Sequence, residues 1–108
     1  MLAKYTGSAA VAVNFSPTYP AKIENVLIHL STLATCATTV PLTIAKYTTA
    51  SAYNTVLLSQ VMTSVADVHY TPTYPVQINP QEKLLIQWAN DASSYKTWGI
   101  EIQYSHQG

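Results

Sequence analysis

The stretch from Trp98 to Tyr104 constrains this chain more than any other. Trp98, Ile100, Ile102 and Tyr104 alternate with Gly99, Glu101 and Gln103, and a period of two puts every large apolar group on one side of a β-strand. The same alternation recurs along the chain. Val11, Val13 and Phe15 share one side of a first strand, and Val26, Ile28 and Leu30 share one side of a second, with Leu27 and His29 opposite. Val40, Leu42 and Ile44 follow, with Pro41 among them. Proline donates no ladder hydrogen bond, so that strand lies at a sheet edge or begins there. Asn54 to Met62 is apolar enough to predict a strand buried on both faces for part of its length. Val65–Tyr70, with Val68 and Tyr70 inward, follows a tight turn. A short strand at Val76 and Ile78 precedes Leu84, Ile86 and Trp88, which alternate with Leu85, Gln87 and Ala89.

Strands this short, separated by Pro, Ser and Thr turns and with no helical stripe of comparable strength, predict an all-β fold. The expectation is a two-sheet antiparallel sandwich of about eight strands, jelly-roll type favoured over immunoglobulin-like. With one cysteine, the chain lacks the Cys-Trp-Cys signature of immunoglobulin domains. At 108 residues there is room for one domain. Residues 11–108 are assigned to it. Residues 1–10, rich in small side chains, are set apart as an N-terminal arm that reorganises on assembly or as a frayed terminus, both readings open.

One internal echo stands out. Ser16-Pro-Thr-Tyr-Pro-Ala-Lys-Ile23 matches Thr71-Pro-Thr-Tyr-Pro-Val-Gln-Ile78 at five positions. Each copy precedes a strand centred on Val26-Leu-Ile or Leu84-Leu-Ile. A jelly roll is built from two Greek keys, which suits a repeat half a chain apart. Chance recurrence of a useful strand entry is the alternative.

Charge excludes several functions. Only 9% of residues are charged, five Lys balance five acids, and there is no Arg. Arg is the usual fork for phosphate and guanine, and a neutral chain without it lacks the electrostatic footprint of a nucleic-acid binder. A surface so poor in charge is poorly defended against association, as suits a protein packed against its own copies or a larger shell. The apolar run Ala9–Val13 is too short for a signal-peptide core or a membrane span. The lone Cys36 reads as a small half-buried hydrophobe in a protein made in a reducing cytoplasm.

No constellation points to catalysis, a metal or a cofactor. Asp67 and His69 share one side of a strand, but a dyad there wants a nucleophile and a cleft. His29, His69 and His106 lack the local spacing of metal ligands. Trp88 and Trp98 flank the loop Asn90–Lys96 and form either a sugar platform or, given the aliphatic neighbours at their own parity, core. Tyr19, Tyr74 and Tyr95 fall in loops where they can touch a partner. Leu27 and Leu85 each fall opposite their strand's core stripe and are candidates for an interface.

The span Thr43 to Tyr104 resembles a recurring pattern in small jelly-roll proteins of tailed-phage particles. The likeness runs through Ala52-Tyr-Asn-Thr-Val-Leu-Leu-Ser-Gln60 and Val65-Ala-Asp-Val-His-Tyr-Thr-Pro72. It continues in Asn79-Pro-Gln-Glu-Lys-Leu-Leu-Ile-Gln-Trp-Ala-Asn90 and Lys96-Thr-Trp-Gly-Ile-Glu-Ile102. Such proteins decorate or cement capsids. The resemblance implies a non-enzymatic virion protein, made in the host cytoplasm without a signal peptide. Its partners would be the major capsid protein and further copies of itself, with no nucleic acid and no membrane. The alternative is a carbohydrate- or receptor-binding module of a head fibre or tail spike.

Overall fold

A computed structural model describes residues 1–31, 41–50, 54–90 and 96–106. The strands run β1 (Leu2–Gly7), β2 (Val11–Phe15), β3 (Ala21–Leu30), β4 (Pro41–Tyr47), β5 (Thr55–Val61), β6 (Asp67–Tyr70), β7 (Gln77–Ile78), β8 (Lys83–Trp88) and β9 (Trp98–His106). No helix occurs among the described residues. One sheet has the order β1-β9-β3-β6, with β7 also paired to β3, and the other the order β2-β8-β4-β5. All ladders are antiparallel. The molecule is an all-β, two-sheet sandwich.

The alternation seen in the sequence builds the core. Val11, Val13 and Phe15 of β2 in one sheet and Ile23, Val26, Ile28 and Leu30 of β3 in the other join Ile100, Ile102, Leu42, Ile44, Leu84 and Ile86 in one buried cluster. Trp88 and Trp98 belong to it, 2% and 7% exposed. Pro41 opens β4, where it opposes Val61 of β5 before the β8 ladder begins at Thr43, so its missing donor removes no bond from the β8 side. The turn after β5 is closed by the Val65 amide on the Met62 carbonyl at 2.9 Å, with Ser64 at φ 63°.

Two segments differ from expectation. β5 is an edge strand, paired to β4 alone, and Val56 is 65% exposed. An apolar run is not proof of two-sided burial, because a strand at an edge can carry valine outward. A register shift between Ile44 and Ala45 leaves Leu57 as the extra residue of a bulge, and Leu57 and Leu58 both pack against the core. Leu2–Gly7, within the residues 1–10 set apart above as an arm or a frayed terminus, is in the structure a strand paired with β9 along its whole length. Ala3 and Tyr5 pack against the core from it. Its inward residues include Ala and Gly, so its alternation is weak in the sequence.

Candidate functional site

The outer face of the first sheet is a trough. Two rows of side chains cross four strands: Lys4, Glu101, Leu27 and His69 in one, Thr6, Gly99, His29 and Asp67 in the other. Each row exists because residues opposite one another in an antiparallel ladder share a face. The trough encloses about 580 Å3. A Cβ added at Gly99 would meet nothing within 4 Å, so its floor is open at the centre. Leu27, 39% exposed, is its large apolar group. His29 Nδ1 lies 2.6 Å from Asp67 Oδ1, and Lys4 Nζ lies 3.6 Å from Glu101 Oε1. The four side chains are 42–74% exposed, so water screens both pairs and they add little to stability. Asp67 engages His29 rather than His69, whose Nε2 is 3.5 Å from the Thr71 hydroxyl.

The outer face of the second sheet is different in kind. Asn14, Leu85, Ala45 and Val56 form one row, and Ala12, Gln87, Thr43 and Ser59 the next. Val61 opposes Pro41 at one end, and Tyr47 opposes Lys83 at the other, where Nζ sits 5.6 Å from the ring centroid. Lys83 is the one charged residue among these twelve positions. Leu85 lies on this outer face but is 7% exposed, and it belongs to no part of the inter-sheet cluster. It is therefore the covered centre of the face, while Val56, Val61 and Tyr47 are exposed.

Tyr19 and Tyr74, 64% and 81% exposed, sit on the two Pro-Thr-Tyr-Pro bends. Tyr19 packs against His106 at 5.6 Å between centroids, and Tyr74 borders a shallow hollow with Lys22 and Glu24. Tyr95 and Cys36 lie outside the described residues. The interface candidates are thus spread out: Leu27 on one face, Leu85 on the other, the two tyrosines at the loop ends. The buried Trp88 and Trp98 form no exposed platform. Among the described residues no group of three or more His, Cys, Asp or Glu is placed to hold a metal.

Sequence reasoning passed over Asn90. It is the one buried polar residue among those described, 3% exposed, at φ 68°. Its amide nitrogen donates to the carbonyls of Ala9 (2.7 Å) and Lys96 (3.0 Å), and its oxygen accepts from the Lys96 amide at 3.0 Å. Asn90 thereby closes the loop between β8 and β9 and ties it to the β1–β2 turn, where the Trp98 indole also donates to Ala9 at 2.9 Å. The available signal was an Asn placed after a strand and before a Ser-rich loop, since Asn tolerates the left-handed region.

Fold and faces define a two-sheet β-sandwich whose features of interest are surfaces and loops. Compared with family models and with curated protein sequences, the chain matches none. In structure it is similar to a chain in the structure of infectious bursal disease virus, Gx strain, with a TM-score of 0.39 and 14% identity. That similarity covers 99% of this chain and 33% of the viral one, so the chain spans about a third of the protein it resembles. Neither figure carries a function across.

Proposed function

We propose that this chain is a non-enzymatic structural protein of a virus particle, a decoration or cement subunit of a tailed-phage capsid. It binds the major capsid protein through the outer face of its four-stranded sheet and needs no cofactor. The observation that carries this reading is the chemistry of that face: twelve outward positions with one charge, Val56, Val61 and Tyr47 exposed around a covered Leu85. Burying such a face strips few charges of water, which suits docking on a protein wall. Weak single contacts suffice when copies engage a repeating lattice. The interleaved strand order, β1-β9-β3-β6 over β2-β8-β4-β5, supports the jelly-roll reading over the immunoglobulin-like one, and the resemblance over Thr43–Tyr104 supports the phage setting.

The second reading, a carbohydrate- or receptor-binding module of a head fibre or tail spike, is favoured by the trough, where His29, Asp67, His69, Lys4 and Glu101 converge around open space at Gly99. Co-sedimentation separates the two. The purified protein should pellet with tailed-phage heads stripped of their decoration, and Val56→Lys should abolish pelleting while Leu27→Lys leaves it. No binding to heads, together with glycan-array binding lost in Leu27→Lys, would transfer the function to the trough.

A further inference from the structure

Among the described residues all seven strand ladders join a strand of the first half of the chain (β1–β4) to a strand of the second (β5–β9), and none lies within either half. The halves are also copies in arrangement. Exchanging β1 with β5, β2 with β6, β3 with β8 and β4 with β9 turns the order of one sheet into that of the other. Register follows. The inward row Tyr5, Ile100, Ile28, Val68 in the first sheet becomes Leu58, Ile44, Ile86, Val13 in the second. The repeated octapeptides sit on this pseudo-two-fold axis and pair with each other, Ala21 opposite Ile78 and Lys22 opposite Gln77, with the Ile23 amide on the Val76 carbonyl at 2.9 Å. Seven of their eight equivalent positions share a burial class, with Pro20 and Pro75 the exception.

We propose that two copies of this chain exchange halves, residues 1–47 of one pairing with residues 55–106 of the other, in a closed dimer whose hinge is the β4–β5 connection. The partner surface is one that the chain already makes with itself. Because the halves share no other covalent link, every ladder among the described residues can be re-formed between chains. In the single chain the Thr48 amide donates to Asn54 Oδ1 at 2.8 Å and the Thr48 hydroxyl to the Ala50 carbonyl at 2.6 Å, the contacts between the ends of β4 and β5 that exchange would give up. The short tether keeps the halves at a millimolar-scale effective concentration, so the monomer prevails in dilute solution. Shortening the tether reverses this. The last β4–β5 pair is Lys46 with Thr55, and deleting residues 48–54 leaves Tyr47 alone between them. Hairpins commonly need at least two loop residues, so β4 and β5 would run on as one strand and pair only in a second copy.

The full chain with residues 48–54 deleted should elute as a discrete dimer of twice the chain mass by light scattering, with an unchanged β-sheet circular dichroism spectrum. A folded monomer, or aggregate of no fixed size, overturns the proposal. Should the deletion chain not fold, the intact chain carrying a protease site in the 48–54 connection decides. After cleavage its halves should stay together. Tagged and untagged cleaved proteins, unfolded and refolded together, should yield cross-paired species. Halves that part on cleavage, or a half that folds alone, overturns it.

Discussion

Asn90 holds a conformation and three hydrogen bonds at once, so its replacement divides cleanly. Asn90→Ala removes all three bonds, at about 1 kcal/mol per lost bond. Asparagine already carries a Cβ in the left-handed region, so alanine adds little there. Asn90→Ala should therefore cost about 3 kcal/mol in urea unfolding, and Asn90→Gly about 1 kcal/mol less because glycine is at ease at that φ. Equal losses would show that the backbone contributes nothing. The two described glycines make a second contrast. A Cβ on Gly7 would lie 2.7 Å from Cζ2 of Trp98, so Gly7→Ala should cost about 1–3 kcal/mol by overpacking and shift Trp emission. Gly99→Ala meets open space and should be neutral or slightly stabilising by thermal melt, since alanine gives up less backbone freedom than glycine. The burial of Trp98 could be read from its own parity with Ile100 and Ile102. The glycine that lets it pack, 91 residues away, could not, because that fit exists only once β1 lies beside β9.

Among the elements, β5 matters most for association. No charged residue occurs between Lys46 and Asp67, so this edge lacks the inward or flanking charges that usually discourage strand-to-strand pairing. Its protection is the bulge at Leu57, which twists the edge and leaves the pairing face irregular. Val56 points out and Leu58 in. Val56→Lys should change stability by less than about 0.5 kcal/mol and lower light scattering at high concentration. Leu58→Lys should cost about 2 kcal/mol or more, because it sets an unpaired charge against the apolar cluster. If both variants are equally stable, the bulge does not turn Leu58 inward. Period-two patterning located seven of the nine described strands because it reports which side chains face a core, and an apolar run located β5. It did not say how many neighbours a strand has, and so β5 read as a buried strand. It was also blind at β1, where Ala and Gly fill inward positions.

For the whole molecule, the two outer faces carry opposite electrostatic signatures on one neutral body. The trough gathers Lys4, Glu101, Asp67 and two histidines, whereas the opposite face has Lys83 alone. The sequence placed Leu27 and Leu85 opposite their core stripes, but which faces their strands would share, and that Leu85 would be covered, depends on pairings across most of the chain. The contrast gives an experiment that needs no substitution. Attachment through the charge-poor face releases few counterions and crosses no strong field, so affinity for phage heads should stay flat or rise as salt goes from about 0.05 M to 0.5 M, where the Debye length falls to a few ångströms. Attachment through the trough would weaken over that range, as its charged rim is screened. Two variants then locate the contact. Val61→Lys, on the exposed margin of the charge-poor face, should lower affinity tenfold or more with the melting temperature little changed. Leu85→Lys should destabilise the isolated protein by about 2–4 kcal/mol, since Leu85 is covered, and for that reason reports on folding rather than on docking. Steep loss of binding with salt, together with full binding by Val61→Lys, would move the interface to the trough and overturn the assignment of faces.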